Sequence, residues 1–160
     1  MRSLGTAARA DALVYLTGGV TAVLLGWRET TIDVDIATVV PESDELLRAL
    51  PRLKDELRVN VELASPADFI PVPAGWEDRS IFIAREGPLS YYHFDLHAQA
   101  LAKLERAHTQ DLEDVEAMLE RGLVEPERAL LLYEEIEPLL YRFPAVDASS
   151  FRRRVERALR

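Results

Sequence analysis

Apolar and polar positions change period several times along the chain, and each change predicts an element. Residues 12–16 form a short apolar run closed by Thr17-Gly18-Gly19, the pattern of a buried strand stopped by a turn. Residues 20–27 are apolar again and predict a short helix, with Gly26 close to its end. Residues 30–40 are rich in β-branched side chains and stop at Pro41, which predicts a second strand. Leu46, Leu47, Leu50, Leu53 and Leu57 then repeat at helical spacing behind Ser43, a residue suited to cap a helix start. Pro51 is expected to kink or split that helix. Val59, Val61 and Leu63 alternate with Asn60 and Glu62, so residues 59–64 predict a half-buried strand.

Residues 65–78 carry Pro66, Pro71 and Pro73 and read as a loop with room for one helical turn at 66–69. Residues 80–84 and 89–94 predict a hairpin around Arg85-Glu86-Gly87-Pro88. Beyond Asp95 the period becomes helical throughout, over 97–107, 110–121, 126–141 and 149–159. Thr109 and Asp147 are suited as N-caps and Pro126 as a first helical residue. A sheet followed by a helical tail is an α+β arrangement. The expectation is a small mixed sheet with helices on one face over residues 1–96, and a C-terminal helical region, 97–160, packed on it as a single compact unit.

The chain has 160 residues, 48% of them hydrophobic and 29% charged, which suits one folded domain with a helical appendage. It has no cysteine, which excludes disulfides and thiolate metal sites and suits the cytoplasm, the expected location. The apolar stretch 12–27 is broken by Thr17-Gly18-Gly19 and is too short to span a bilayer. Arg2 and Arg9 precede it, as in a signal peptide, but it runs into an acidic strand with no small-residue cleavage site. The net charge of −9 disfavours binding nucleic acid over the whole surface, while leaving room for a local basic groove.

The chemistry lies in Thr31-Ile32-Asp33-Val34-Asp35-Ile36. Two aspartates two apart in a strand project from one face, and such a pair is relieved by a hard divalent cation. With 28 acidic residues in the chain, roughly five acid-x-acid triplets arise by chance, so the neighbours decide the matter. Ile32, Val34 and Ile36 are expected to be buried on the opposite face. Upstream, Gly18-Gly19 permits close backbone approach and opens a helix whose free N–H groups suit an anion. A metal platform beside a phosphate cradle is what transfer from a nucleoside triphosphate requires.

Gly18-Gly19, thirteen intervening residues, and Asp33-Val34-Asp35-Ile36 together resemble the signature of the DNA-polymerase-β-like nucleotidyltransferase superfamily. Thr17 stands where that family usually has an apolar residue. Leu101-Ala102-Lys103-Leu104-Glu105-Arg106 followed by Gln110-Asp111-Leu112-Glu113-Asp114 is similar to the lysine and aspartate motifs of AbiEii-type bacterial nucleotidyltransferases. The resemblance covers roughly residues 12–120. It implies a Mg²⁺-dependent enzyme, with two ions, that moves a nucleoside monophosphate from an NTP to a hydroxyl. The acceptor would be tRNA, another RNA or a partner protein, as in toxin–antitoxin pairs. Asp33 and Asp35 would hold the metals, with Glu62 as a third carboxylate. Gly18, Gly19, Val20 and Thr21 would meet phosphates; Lys103 and Arg106 would neutralise them, and Asp111 would fix that region. The alternative implied is an inactive scaffold of the same fold that binds a partner protein.

Other features carry less. His93, His97 and His108 lack metal-ligand spacing. Tyr91, Tyr92 and Phe94 read chiefly as core, and Arg152, Arg153, Arg154, Arg157 and Arg160 form a basic patch that could hold RNA phosphates, an acidic partner or the nearby Glu134, Glu135 and Glu137. No P-loop, dinucleotide-binding fingerprint or serine triad is present.

Overall fold

A computed structural model describes residues 1–160 apart from the side chains of Glu45 and Leu57, so the expected apolar role of Leu57 lies outside the described residues. The chain divides into two compact units, Met1–Ser65 with Ser80–Phe94, and Pro66–Arg79 with Asp95–Arg160. The Pro66–Arg79 segment, expected within the first domain, therefore belongs with the helices.

The first unit is a five-stranded mixed sheet in the order β3-β2-β1-β5-β4. Its strands are β1 (Ala12–Thr17), β2 (Asp33–Val40), β3 (Asn60–Leu63), β4 (Ile81–Glu86) and β5 (Leu89–His93). β1 pairs antiparallel with β2 and parallel with β5; β2 pairs parallel with β3, and β4 antiparallel with β5. Val14, Leu16, Ile36, Leu89 and Tyr91 face a core shared with Leu4 of helix α1 (Arg2–Ala7) and with Leu46 and Leu53 of α3 (Asp44–Leu57). The short α2 (Gly18–Leu24) follows β1 directly.

Local chemistry sets these boundaries. Ser43 caps α3 by accepting from the Leu46 N–H at 3.3 Å, as its residue type predicts. α3 is continuous through Pro51, which is exposed on its solvent side. β2 begins only at Asp33, and Ile32, expected inside, is 86% exposed ahead of the strand. Farther along, the register slips from Leu16–Ile36 to Tyr15–Thr38. The extra residue, Ala37, is a bulge that resets the alternation, so Ile36 and Val39 are both buried although three apart.

Helix α1 was not predicted. Gly5 lies so close to β4 that a Cβ there would meet the Glu86 carbonyl, and Tyr91 Oη donates to the Met1 carbonyl at 3.0 Å. Packing specifies this helix, since six residues are too few to hold helical structure by propensity.

The second unit contains α4 (Trp76–Arg79), α5 (Leu96–Arg106), α6 (Thr109–Glu120), α7 (Pro126–Ile136) and α8 (Ala148–Leu159), with 3-10 turns at Pro66–Asp68 and Glu137–Arg142. α4 was read as loop. The helix expected over 126–141 changes to 3-10 at Glu137, next to Pro138, whose missing N–H breaks the α-helical ladder. Asp95 caps α5 by accepting from the His97 N–H at 3.0 Å. α5 is buried from Ala98 to Leu104, the mark of a central helix. Phe151 of α8 meets Tyr133 of α7 edge to face at 5.0 Å in this unit's core. Among the described residues, no helix is long and apolar enough to cross a membrane.

Candidate functional site

Leu16 and Ile36 pair across β1 and β2 on the core face, so their neighbours Thr17 and Asp35 share the opposite face. Asp33 lies two residues before Asp35 and projects the same way, half-buried like it. On the other side of β2 the register pairs Asp33 with Asn60 and Asp35 with Glu62. This edge therefore carries Asp33, Asp35, Asn60 and Glu62 together. Asn60 was read only as a polar strand position. Its side-chain amide donates to Asp33 Oδ1 at 2.7 Å and to Glu62 Oε1 at 2.7 Å, tying two carboxylates that would otherwise repel.

Because Asp35 stands opposite Thr17, the next residue of β1's chain falls beneath its carboxylate. Gly18 adopts φ +65°, and a Cβ there would collide with Asp35 Oδ2. Both facts require glycine. Gly19 is as tightly placed, since a Cβ on it would strike Thr31 Oγ1. Thr31 in turn donates to the Asp33 carbonyl at 2.9 Å, fixing the entry to β2. The Arg28 guanidinium comes to 3.7 Å from the position of that Cβ, so a cation flanks the Gly19 backbone. Neither Thr31 nor Arg28 was singled out from sequence. Both lie in the link between the glycines and Asp33, and only the fold of α2 onto β2 brings them to Gly19.

Val20 packs partly against the core. Thr21, expected to offer a hydroxyl to phosphate, is fully buried, and its Oγ1 sits 3.2 Å from His93 Nδ1 and 3.5 Å from the Leu16 carbonyl. Burial lowers the His93 pKa to about 4, so this imidazole is neutral near pH 7. The sheet face that carries Thr17 and Asp35 also carries an aromatic row. Phe82 meets Tyr92 edge to face at 5.5 Å, and Tyr92 stacks on Tyr15 at 5.4 Å. Phe82 is 56% exposed.

Lys103, Arg106 and Asp111 lie in the helical unit, where they form one network. Lys103 is only 5% exposed, and its Nζ donates to Asp111 Oδ1 at 3.1 Å and Asp114 Oδ2 at 2.6 Å. Arg106 donates to the same Asp111 oxygen at 2.5 Å and lies 4.8 Å over the Phe69 ring. The i, i+3 spacing of Lys103 and Arg106 does put both on one face of α5. Instead of an exposed cation, Lys103 is a buried charge compensated by two carboxylates from α6. At the start of α5, Asp95 is fully buried between Arg79 and His97. Burial would raise its pKa, but hydrogen bonds from His97 and Arg79 and the Arg79 charge outweigh that and hold it below the ordinary value.

The donor set at Asp33 and Asp35 is hard oxygen, the type that divalent magnesium takes. Among the described residues, no group of three or more His, Asp or Glu side chains converges closely enough to hold a metal ion by itself. The protein thus offers a two-carboxylate edge beside a glycine backbone, an arrangement suited to an ion that also takes oxygens from a bound phosphate.

Comparison with curated proteins and with solved structures gave no match. A family model matches residues 2–148, nearly the whole chain, and carries both Gly18-Gly19 and Asp33-Val34-Asp35 within the matched span. The chain belongs to that family, described as nucleotidyltransferase of unknown function (DUF6036).

Proposed function

We propose that the protein is a Mg²⁺-dependent nucleotidyltransferase that moves a nucleoside monophosphate from an NTP to a hydroxyl of RNA or of a partner protein. The observation that carries this reading is the seating of the Asp35 carboxylate on Gly18, with Asp33 beside it on the same strand face. A carboxylate pair and a side-chain-free stretch of backbone are side by side, so a phosphate lying along Gly18 and Gly19 would also face the carboxylates. Asp33 and Asp35 would hold the metal, which supplies charge neutralisation at the phosphoryl group and a more acidic attacking oxygen.

This chain's own residues would do the rest. Gly18 and Gly19 admit the phosphates, Arg28 adds positive charge beside Gly19, and Asn60 orients Asp33. Glu62, exposed and tied to Asn60, belongs to the proposal as an orienting carboxylate more than as a ligand. Lys103, Arg106 and Asp111 enter it through the motif that resembles AbiEii-type enzymes, as does membership of a toxin–antitoxin pair. The test is turnover of labelled NTPs with Mg²⁺ and total RNA. Asp33→Ala or Asp35→Ala should lower turnover on the order of a hundredfold or more with the fold intact. Unchanged turnover in either variant would sink the assignment.

One observation favours a second reading, a scaffold of this fold that binds a partner without catalysis. The third carboxylate is tied to Asn60 and, among the described residues, completes no metal-holding group. Calorimetry with NTP and Mg²⁺ separates the two, since a scaffold of that kind takes up no heat-detectable nucleotide.

A further inference from the structure

α8 lies beyond the span matched by the family model, sharing only Ala148 with it. Phe151, Val155 and Leu159 are its buried side. Its other faces carry four arginines and one glutamate, with a fifth arginine, Arg160, as its C-cap, on a chain of net charge −9. Two of the arginines are engaged in holding the helix. Arg152 pairs with Glu137 and reaches Glu156 at 4.0 Å; Arg154 donates to the Leu104 and Glu105 carbonyls, each at 2.5 Å.

The remaining three, Arg153, Arg157 and Arg160, are exposed and line one open cavity of about 610 Å³ with Ser150, Arg154 and Glu156. Among the described residues Arg153 bonds only the neutral hydroxyls of Ser150, at 2.7 Å, and Ser149. Among the described residues Arg157 forms no ion pair, and Arg160 reaches Glu156 at 3.6 Å. Glu156 within the cavity, and Glu116 and Glu120 of α6 in the groove next to Arg157, are the carboxylates that face this group. The helix rise sets Arg153 and Arg157 about 6 Å apart along the axis, with Arg160 about 4.5 Å further. That is the scale on which successive phosphates of a flexible strand can be met. The cavity wall holds no apolar or aromatic side chain, whereas a protein partner needs such an anchor at its centre. Guanidinium groups grip phosphate oxygens in pairs.

We propose that the Arg153, Arg157 and Arg160 face of α8 binds the phosphodiester backbone of a single-stranded RNA, one of the two acceptor classes proposed above. The assignment of an acceptor rests on that reading; the binding itself does not.

The test is fluorescence anisotropy of a labelled single-stranded RNA of about twelve nucleotides, without NTP or metal. Three phosphate contacts predict roughly 20-fold weaker binding at 200 mM than at 50 mM salt. R153Q/R157Q/R160Q should bind about tenfold or more weakly, with a salt slope shallower by about 2. R153K/R157K/R160K should retain most of the affinity. All three side chains are exposed, and a circular dichroism melt confirms the fold; Arg157→Gln alone repeats the test should the triple variant melt early. Equal affinity of wild type and the glutamine variant, or no binding at 50 mM salt, overturns the proposal. Tighter binding of a polyglutamate peptide than of RNA overturns it in favour of an acidic protein partner. Asp33→Ala should bind RNA as wild type does, so loss of turnover and loss of RNA binding remain distinguishable.

Discussion

At the scale of single residues, the site depends on atoms that are absent. Gly18 adopts φ +65° and leaves no space for a Cβ beneath Asp35, whereas Gly26 adopts φ +85° with nothing within 4 Å of a Cβ. Alanine should therefore cost about 1 kcal/mol at either position through left-handed strain. Only Gly18→Ala must also push the Asp35 carboxylate aside. Urea denaturation should find Gly18→Ala the less stable variant, and NTP turnover should fall with it while Gly26→Ala stays near wild type. Equal turnover of the two variants would show that the Asp35 position does not matter. Asn60 teaches a related lesson, since a position that alternation marks only as polar holds two carboxylates at once.

Elements are held to one another by buried charge as well as by apolar contact. Lys103 of α5 joins Asp111 and Asp114 of α6, and all three are nearly inaccessible to water. Removing the ammonium from such a group leaves excess negative charge in a low-dielectric interior, with Arg106 still bonded to Asp111. Lys103→Met should cost about 3–5 kcal/mol, read as a lowered denaturation midpoint. Adding Asp114→Asn should restore part of that loss, because one buried negative charge facing the missing ammonium is then removed, while Asp111 keeps its bond from Arg106. If Lys103→Met is as stable as wild type, the network contributes nothing to the α5–α6 pairing. Other helices show how propensity yields to context. Pro51 leaves α3 unbroken on its exposed side, while Pro138 ends the α-helical ladder of α7.

Acid should weaken the molecule as a whole from two places. His93 is buried and neutral, with its pKa lowered to about 4 from an ordinary 6.5. Below pH 6.5 the unfolded chain takes up a proton that the folded chain refuses, so stability falls as pH drops from about 6.5 to 4. The loss approaches roughly 3 kcal/mol at the lower limit. Asp95 acts in the same direction, since its pKa is held down in the folded protein and its contribution disappears as acid protonates it. Urea midpoints at pH 7 and pH 4.5 should differ accordingly, and His93→Gln should reduce the difference. A midpoint indifferent to pH over that range would mean that His93 is solvated in solution. Because the chain comprises two compact units, the transition should be followed by two probes, as a single midpoint assumes a single cooperative step.

The sequence by itself determined those features that depend on local repetition or on residue type. β1, β2, β5 and helices α5 and α6 follow from apolar period, and α8 from its period and the Asp147 cap; Thr109, expected to cap α6, is instead its first residue, behind His108. The glycine pair with Asp33 and Asp35 is legible because those chemistries are confined to few residue types. Tertiary structure decided everything that depends on what lies opposite. It placed Asp35 on Gly18, Asn60 between Asp33 and Glu62, and Thr31 and Arg28 at Gly19, contacts between segments that no local window joins. It exposed Ile32 by starting β2 at Asp33, three residues later than expected, and set Val39 inward through the bulge at Ala37. It also buried Lys103, which reads identically in sequence whether it faces water or two aspartates. The physical reason is common to all of these. Period and propensity report how a residue relates to its own element, while charge state, accessibility and steric room are set by the partner across the gap.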